Sequence, residues 1–178
     1  VYCEGNQAIS GGGVYLDAPP TRLADSVLVN NTATIAGGGA SANDLSGARP
    51  WDHVMERVEL RGNTSPNGAG TDVFQTHLVL IDSVLEENTA DLGGGVYVWP
   101  GSTLSVVASD FGVDALDNVP DDAWDGRSNV GWGDDVSVAC DLGCGVPARA
   151  GATARATEPA TEPATTWRDA RTLPRIAR

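Results

Sequence analysis

The chain has 178 residues, 41% of them apolar, with 22 glycines, a formal net charge of −13 and no lysine. Its size and apolar share allow one domain with a real core plus an appended tail, while the acidic balance argues against a phosphate-binding surface, so no nucleic-acid partner is expected. The segment after Val146 holds six arginines and three acids, which leaves five arginines and twenty-one acids before it, a net of −16. No stretch approaches the roughly 20 apolar residues that span a bilayer, and no basic-then-apolar leader precedes the first repeat.

In chain order, Cys3-Glu4-Gly5-Asn6 leads to Gly11-Gly12-Gly13-Val14-Tyr15-Leu16, and Leu28-Val29-Asn30-Asn31 leads to Ala36-Gly37-Gly38-Gly39-Ala40. Next, Leu60-Arg61-Gly62-Asn63 leads to Gly68-Ala69-Gly70-Thr71-Asp72-Val73, and Leu85-Glu86-Glu87-Asn88 leads to Gly93-Gly94-Gly95-Val96-Tyr97-Val98. The anchoring asparagines are spaced by 25, 32 and 25 residues, which places an insertion in one unit. A unit this short, with glycine-bounded strands and no helical periodicity, cannot bury its apolar face alone and must stack on its neighbours. The spacing predicts an all-β fold, a right-handed parallel β-helix of about four coils over residues 1–111. Leu28, Leu60 and Leu85 are expected to form an inward aliphatic column with Cys3 at its head, a buried free thiol. Asn6, Asn31, Asn63 and Asn88 are expected to form a ladder, since asparagine tolerates the left-handed backbone and both donates and accepts.

The (Leu/Cys)-x-x-Asn and Gly-Gly-Gly-Val-Tyr elements resemble the paired FxxN and GGA(I/L/V) repeats of polymorphic outer-membrane proteins, and more broadly the repeats of secreted bacterial β-helix proteins. The resemblance covers about Val1 to Phe111. It departs from the pattern in leucine for phenylalanine, in one divergent repeat and in the lack of an autotransporter barrel after the repeats. It implies an extracellular or cell-surface location and a class that includes adhesins, passenger domains and polysaccharide lyases, so it transfers fold more readily than function.

After Val107 the repeat dissolves into aspartate-rich segments, read as an irregular cap over residues 112–146 that covers the last strand edge. Cys140 and Cys144 are expected to form a local disulfide there. Asp117, Asp121, Asp122, Asp134 and Asp135 are the best calcium candidates, because a hard cation takes several oxygen ligands, but a solvated acidic face is the favoured reading of them, and no other cofactor is expected. The run Asn67 to Phe74 resembles a single calcium-binding RTX nonapeptide, but the equivalent coils carry Val14 and Val96 where an aspartate is needed, and a structural turn is expected. From Pro147 onward the repeated Thr-Glu-Pro-Ala composition predicts a disordered, low-complexity tail over residues 147–178.

For catalysis the inventory is thin. His53 is read in the inserted loop and His77 before a strand, and no nucleophile arrangement is visible. Arg57 or Arg61 would be the base of a lyase. Tyr15 and Tyr97, alternating with inward Val14 and Val96, are expected to stack outward on one face, where with Trp99 they either cover the helix side beneath the 43–56 insertion, the favoured reading, or offer a surface for sugar rings. Two function classes follow. One is a non-catalytic extracellular structural or adhesive module that displays loops such as Asn43 to Glu56 to a glycan or other cell-surface component. The other is a polysaccharide-active enzyme, a lyase or glycoside hydrolase, with acids and arginines clustered along a groove. Further β-helix coils are expected N-terminal to Val1.

Overall fold

The computed structural model describes residues 1–46, 52–112, 114–126 and 130–132, the last three for their backbone alone. Fourteen strands follow one another in it: β1 (Tyr2–Glu4), β2 (Gln7–Ser10), β3 (Val14–Asp17), β4 (Thr21–Val29), β5 (Thr32–Ala36), β6 (Ala40–Asn43), β7 (Asp52–Arg61), β8 (Thr71–Phe74), β9 (His77–Ile81), β10 (Val84–Glu86), β11 (Val96–Val98), β12 (Thr103–Val107), β13 (Ala123–Asp125) and β14 (Val130–Trp132). They stack into a parallel β-solenoid of about four turns, as the repeat spacing predicts. One face runs β1-β4-β7-β9-β12, with β10 also paired to β7, and a second runs β3-β6-β8-β11-β13-β14. β2 and β5 begin a third, which continues downward as the single bridges Thr32 to Thr64, Thr64 to Thr89 and Thr89 to Val119.

Parallel register lays like residues above one another. Cys3, Leu28, Leu60 and Leu85 share one column, and the three leucines are wholly buried. Cys3 is a partly buried free thiol at the top of it. Leu23, Met55, Leu80 and Val106 make a second inward column, and Val14, Ala40, Thr71, Val96 and Ala123 a third. Because every coil contributes one side chain to each column, removing one leaves a cavity bounded by the coils above and below.

The asparagines form a directional ladder. Asn6 donates its backbone N–H and its Nδ2 to Asn31 Oδ1, both at 3.0 Å. Asn31 does the same to Asn63 Oδ1 at 2.9 and 3.1 Å, and Asn63 to Asn88 Oδ1 at 3.0 Å for both. A second hydrogen of each lower Nδ2 reaches up to a carbonyl of the preceding coil: Cys3 for Asn31, Leu28 for Asn63, Leu60 for Asn88. Gly5, Asn30, Gly62 and Glu87, each immediately before a rung, have φ between 55° and 65°, the left-handed turn that points the asparagine inward.

A fifth rung is present that the repeat pattern does not reveal. Asn118 Oδ1 accepts from Asn88 N–H at 3.3 Å and from Asn88 Nδ2 at 2.8 Å. Phe111, 2% exposed, sits beneath Leu85, and a single 3₁₀ turn at Asp114–Leu116 fills the extra sequence between Phe111 and Asn118. Parallel stacking therefore runs past Phe111 to β13, after which β14 pairs antiparallel. Cys140, Cys144 and the tail from Pro147 lie outside the described residues.

A second polar corner supports the first face. Asp25, Arg57, Asp82 and Ala108 all turn with φ between 47° and 53°. Directly after them, Ser83 Oγ accepts from Val58 N–H and Ser109 Oγ from Ser83 N–H, both at 3.1 Å, while Ser26, Ser83 and Ser109 each donate to the carbonyl two residues back.

The ladder makes unequal demands along its length. Asn63 is wholly buried and bonds to the coils above and below it, so Asn63→Ala strands the Asn31 N–H and the Leu28 carbonyl and should cost about 3–5 kcal/mol in urea unfolding. Asn6 is exposed, and Asn6→Ala should cost under about 1 kcal/mol. Equal losses at the two rungs would show that the ladder does not carry the stack.

Candidate functional site

Two surfaces gather the polar and aromatic residues that the sequence singles out. On the outside of the first face, Arg57 Nε and one of its terminal nitrogens clasp Asp25 at 2.6 and 2.8 Å, another nitrogen meets Glu56, and Glu56 is also paired to Arg22. Four residues on along β7, Arg61 lies 2.8 Å from Glu86 and 3.3 Å from Glu59. β4, β7 and β10 supply these partners from successive coils, so register alone brings them together. The Arg57 guanidinium holds the Asp25 carboxyl below its usual range, and Arg22, then Arg57, does so for Glu56. The hydrogen bonds that Arg57 donates to Asp25 and then to Glu56 raise Arg57 in turn. A guanidinium held protonated in this way is poorly suited to act as a base.

The second surface is on the outside of the face built by β3, β6, β8, β11 and β13. Its central outward column reads Tyr15, Ser41, Asp72, Tyr97, Trp124. The two tyrosines share this column, but Ser41 and Asp72 separate them, so they do not stack on each other as expected. Tyr15 is 45% exposed at the upper edge, whereas Tyr97 is 8% exposed. Tyr97 packs edge-on against Trp99 at 4.8 Å between ring centres, and Phe74 meets the same indole at 5.8 Å. The register also corrects the RTX comparison: Asp72 aligns with Tyr15 and Tyr97, while Val14 and Val96 align with Thr71.

Asp72 is what this aromatic cluster covers. Its carboxylate is 2% exposed although the side chain points away from the core. Trp99 Nε1 donates to Oδ2 at 2.8 Å, and Oδ1 lies over Gly37 with no donor in hydrogen-bonding geometry. A side chain on Gly37 would run into this oxygen at 2.6 Å, and Gly37 itself turns at φ 67°, so glycine is required there on both counts. Burial pushes the Asp72 carboxyl up to about 6, against the opposing pull of Ser41 and Trp99.

The remaining sequence candidates are placed as follows. The segment Asn43 to Glu56 is not one displayed loop: Asn43 ends β6 and is buried, and Asp52 to Glu56 opens β7. Alternation along β7 turns His53 inward, where it is wholly buried, its Nε2 2.8 Å from the Asn43 carbonyl and its Nδ1 bonded to Thr21 Oγ1. His77, read before a strand, is the first residue of β9, and its Nδ1 lies 2.5 Å from Thr103 Oγ1. Among the calcium candidates, Asp117 Oδ1 accepts from the Asn118 N–H at 2.9 Å, and Asp122, wholly buried, accepts from Asn118 Nδ2 at 3.0 Å. Among the described residues, no group of three or more His, Cys, Asp or Glu side chains is placed to hold a metal, and Asp134 and Asp135 lie outside them. No described helix is long and apolar enough to cross a membrane.

The raised Asp72 carboxyl has a signed consequence. The folded state holds the proton more tightly than the unfolded chain, so this residue's stabilising share is full below the ordinary carboxyl range and is lost as pH rises towards about 6. Asp72→Asn keeps an acceptor for Trp99 and should be the more stable form at pH 7.5 by about 3 kcal/mol, from roughly two units at 1.4 kcal/mol each. The gap should close as pH falls to 4. A gap that stays constant across paired denaturation curves from pH 4 to 8 would show that Asp72 is not desolvated.

The chain matches no family model, and no curated protein and no solved structure matches it either. Its function is therefore to be argued from these two surfaces.

Proposed function

We propose that the chain is a non-catalytic structural or adhesive β-helix module working outside the cell or at its surface, where it holds glycan or another surface component. The observation that carries this reading is the state of the polar side chains. The exposed arginines of the first face are neutralised by carboxylates of neighbouring coils, and Asp72 is sealed under Trp99, so both sets of groups serve the stack instead of facing a substrate. Among the described residues Tyr15 is the most exposed aromatic of the second surface, with Asp17 two residues on along β3. A flat aromatic beside a carboxylate suits a sugar ring, the ring packing on the apolar face of the sugar and the carboxylate accepting from hydroxyls.

One observation favours a second reading. Arg57 and Arg61 do lie within bonding reach of two acids each, the pairing expected of a β-helix lyase or glycoside hydrolase. Against it stand the raised Arg57 and the lowered Asp25 and Glu56, which fix all three in their charged forms.

A panel of immobilised neutral and acidic polysaccharides separates the two. Saturable retention with no release of reducing ends or unsaturated uronates is expected. Tyr15→Ala should weaken retention about fivefold, the loss of roughly 1 kcal/mol of ring packing, while Arg57→Ala should leave it unchanged. Product release abolished by Arg57→Ala would establish the enzyme instead.

A further inference from the structure

The second face differs from the first in its balance of charge. Its strands β3, β6, β8, β11 and β13 carry Asp17, Asp72 and Asp125 and no arginine or histidine, whereas Arg22, Arg57 and Arg61 lie on β4 and β7 of the first face and are paired there. Lysine is absent from the whole chain. The tyrosine hydroxyls of the outward column feel this imbalance: burial and then the charges of Asp17 and Asp72 raise Tyr15, and burial and then Asp125 raise Tyr97. Of the three carboxylates Asp17 is the exposed one, Asp72 being sealed and Asp125 half-buried. Asp17 Oδ1 accepts from the Ala18 N–H at 2.8 Å and from the Leu45 N–H at 3.2 Å, which holds the carboxylate in place and leaves Oδ2 without a hydrogen-bond donor among the described residues. Tyr15 and Asp17 stand two residues apart on one strand, so their side chains leave the same side about 7 Å apart. Leu45, 60% exposed, adds apolar surface beside the carboxylate.

We infer that the glycan held on this face carries protonated amines, the chemistry of a 2-amino sugar polymer with its amines free, Tyr15 packing on the sugar ring and Asp17 Oδ2 accepting from the ammonium. The inference rests on the glycan reading above and narrows it. An acidic sugar would bring its carboxylate to a face with no described cation to meet it. A neutral sugar would find the ring and an acceptor but would leave the charge unanswered. An ammonium answers it, pairing with Asp17 while the face of the Tyr15 ring attracts the same charge. The net charge of −13 draws such a polymer in from a distance, an attraction that salt suppresses. A bare calcium ion is a poor alternative, because one exposed carboxylate offers too few of the oxygens it takes.

The test titrates the full chain at pH 6 and low salt with short oligosaccharides of equal length: glucosamine with free amines, the same oligomer N-acetylated, a neutral glucan and galacturonate. The free-amine oligomer should bind tightest, about fivefold tighter than its acetylated form, the order of one exposed ion pair, and galacturonate weakest. Asp17→Asn keeps Oδ1 for the Ala18 and Leu45 N–H groups, so the fold should hold, and it should remove most of the fivefold preference. Glu87→Gln, which takes an exposed charge from the turn before Asn88, should leave the preference intact. If the acetylated and free-amine forms bind alike and Tyr15→Ala weakens both, the glycan reading stands and this inference falls. If none of the four binds, the glycan reading itself falls and takes the inference with it. Equal losses in Asp17→Asn and Glu87→Gln would show attraction to the whole polyanion instead of to this site, which overturns the inference. An oligolysine of the same length that binds as tightly, with the same loss in Asp17→Asn, overturns it too and assigns the face to a basic peptide.

Discussion

The asparagine ladder is the constraint on which the rest of the structure depends. A solenoid has no enclosing layer of its own, so each turn of backbone must find partners in the coil above or below. The ladder does this at the tightest corner, where the backbone amide of one rung and the carbonyl of the coil above would otherwise be buried without a partner. Each rung fixes the height and rotation of the next, and once the rung is fixed the leucine three residues before it must fall into the aliphatic column. The parallel register of the stacked coils follows from that one alignment.

The serine corner shows how a second, weaker device shares the task. Ser26, Ser83 and Ser109 stand five, five and nine residues before their asparagines. Each hydroxyl bonds the carbonyl two residues back, and those of Ser83 and Ser109 also accept from a coil above. Val58 occupies the same place in the third coil and is wholly inward, so that rung exchanges a hydroxyl for apolar packing. What Val58 gives up is an acceptor for the coil above, while its own N–H still bonds Ser83. A ladder asparagine has no such substitute, which explains why all five of those positions keep the same residue type.

Much of this was legible in the sequence, for a definite physical reason. Stacking makes one coil the template for the next, so core and turn positions recur at fixed offsets, and Leu28, Leu60, Leu85 and their asparagines could be aligned by eye. What was hidden broke the offset or came from another coil. Asn118 stands seven residues after Phe111 where the others stand three after leucine, because the 3₁₀ turn is spliced between them. The serine corner is interrupted by Val58. The burial of Asp72 depends on Trp99, which arrives from the following coil 27 residues later, so nothing within its own repeat distinguishes it from an exposed turn residue. Tyr15 and Tyr97 were correctly placed in one outward column, but the identity of the two residues between them decides whether they meet.

The two surfaces illustrate opposite uses of charge on the same scaffold. On the first face, pairing across coils holds carboxylates and guanidinium in water-exposed contacts whose strength salt will screen, so they set register and solubility more than stability. On the second, Asp72 is withdrawn from water, and burial raises its titration range against the opposing pull of Ser41 and Trp99. A glycine at 37 leaves the room that this carboxylate fills, and a larger residue there would be excluded both by the left-handed backbone and by the carboxylate oxygen. Asp72 is therefore a local conflict that the repeat tolerates because the ladder keeps the register whether or not this carboxylate is satisfied. The conflict also ties the aromatic cluster to proton concentration, since the Trp99 indole that shields Tyr97 and Phe74 from one side is anchored to the group whose charge changes near pH 6.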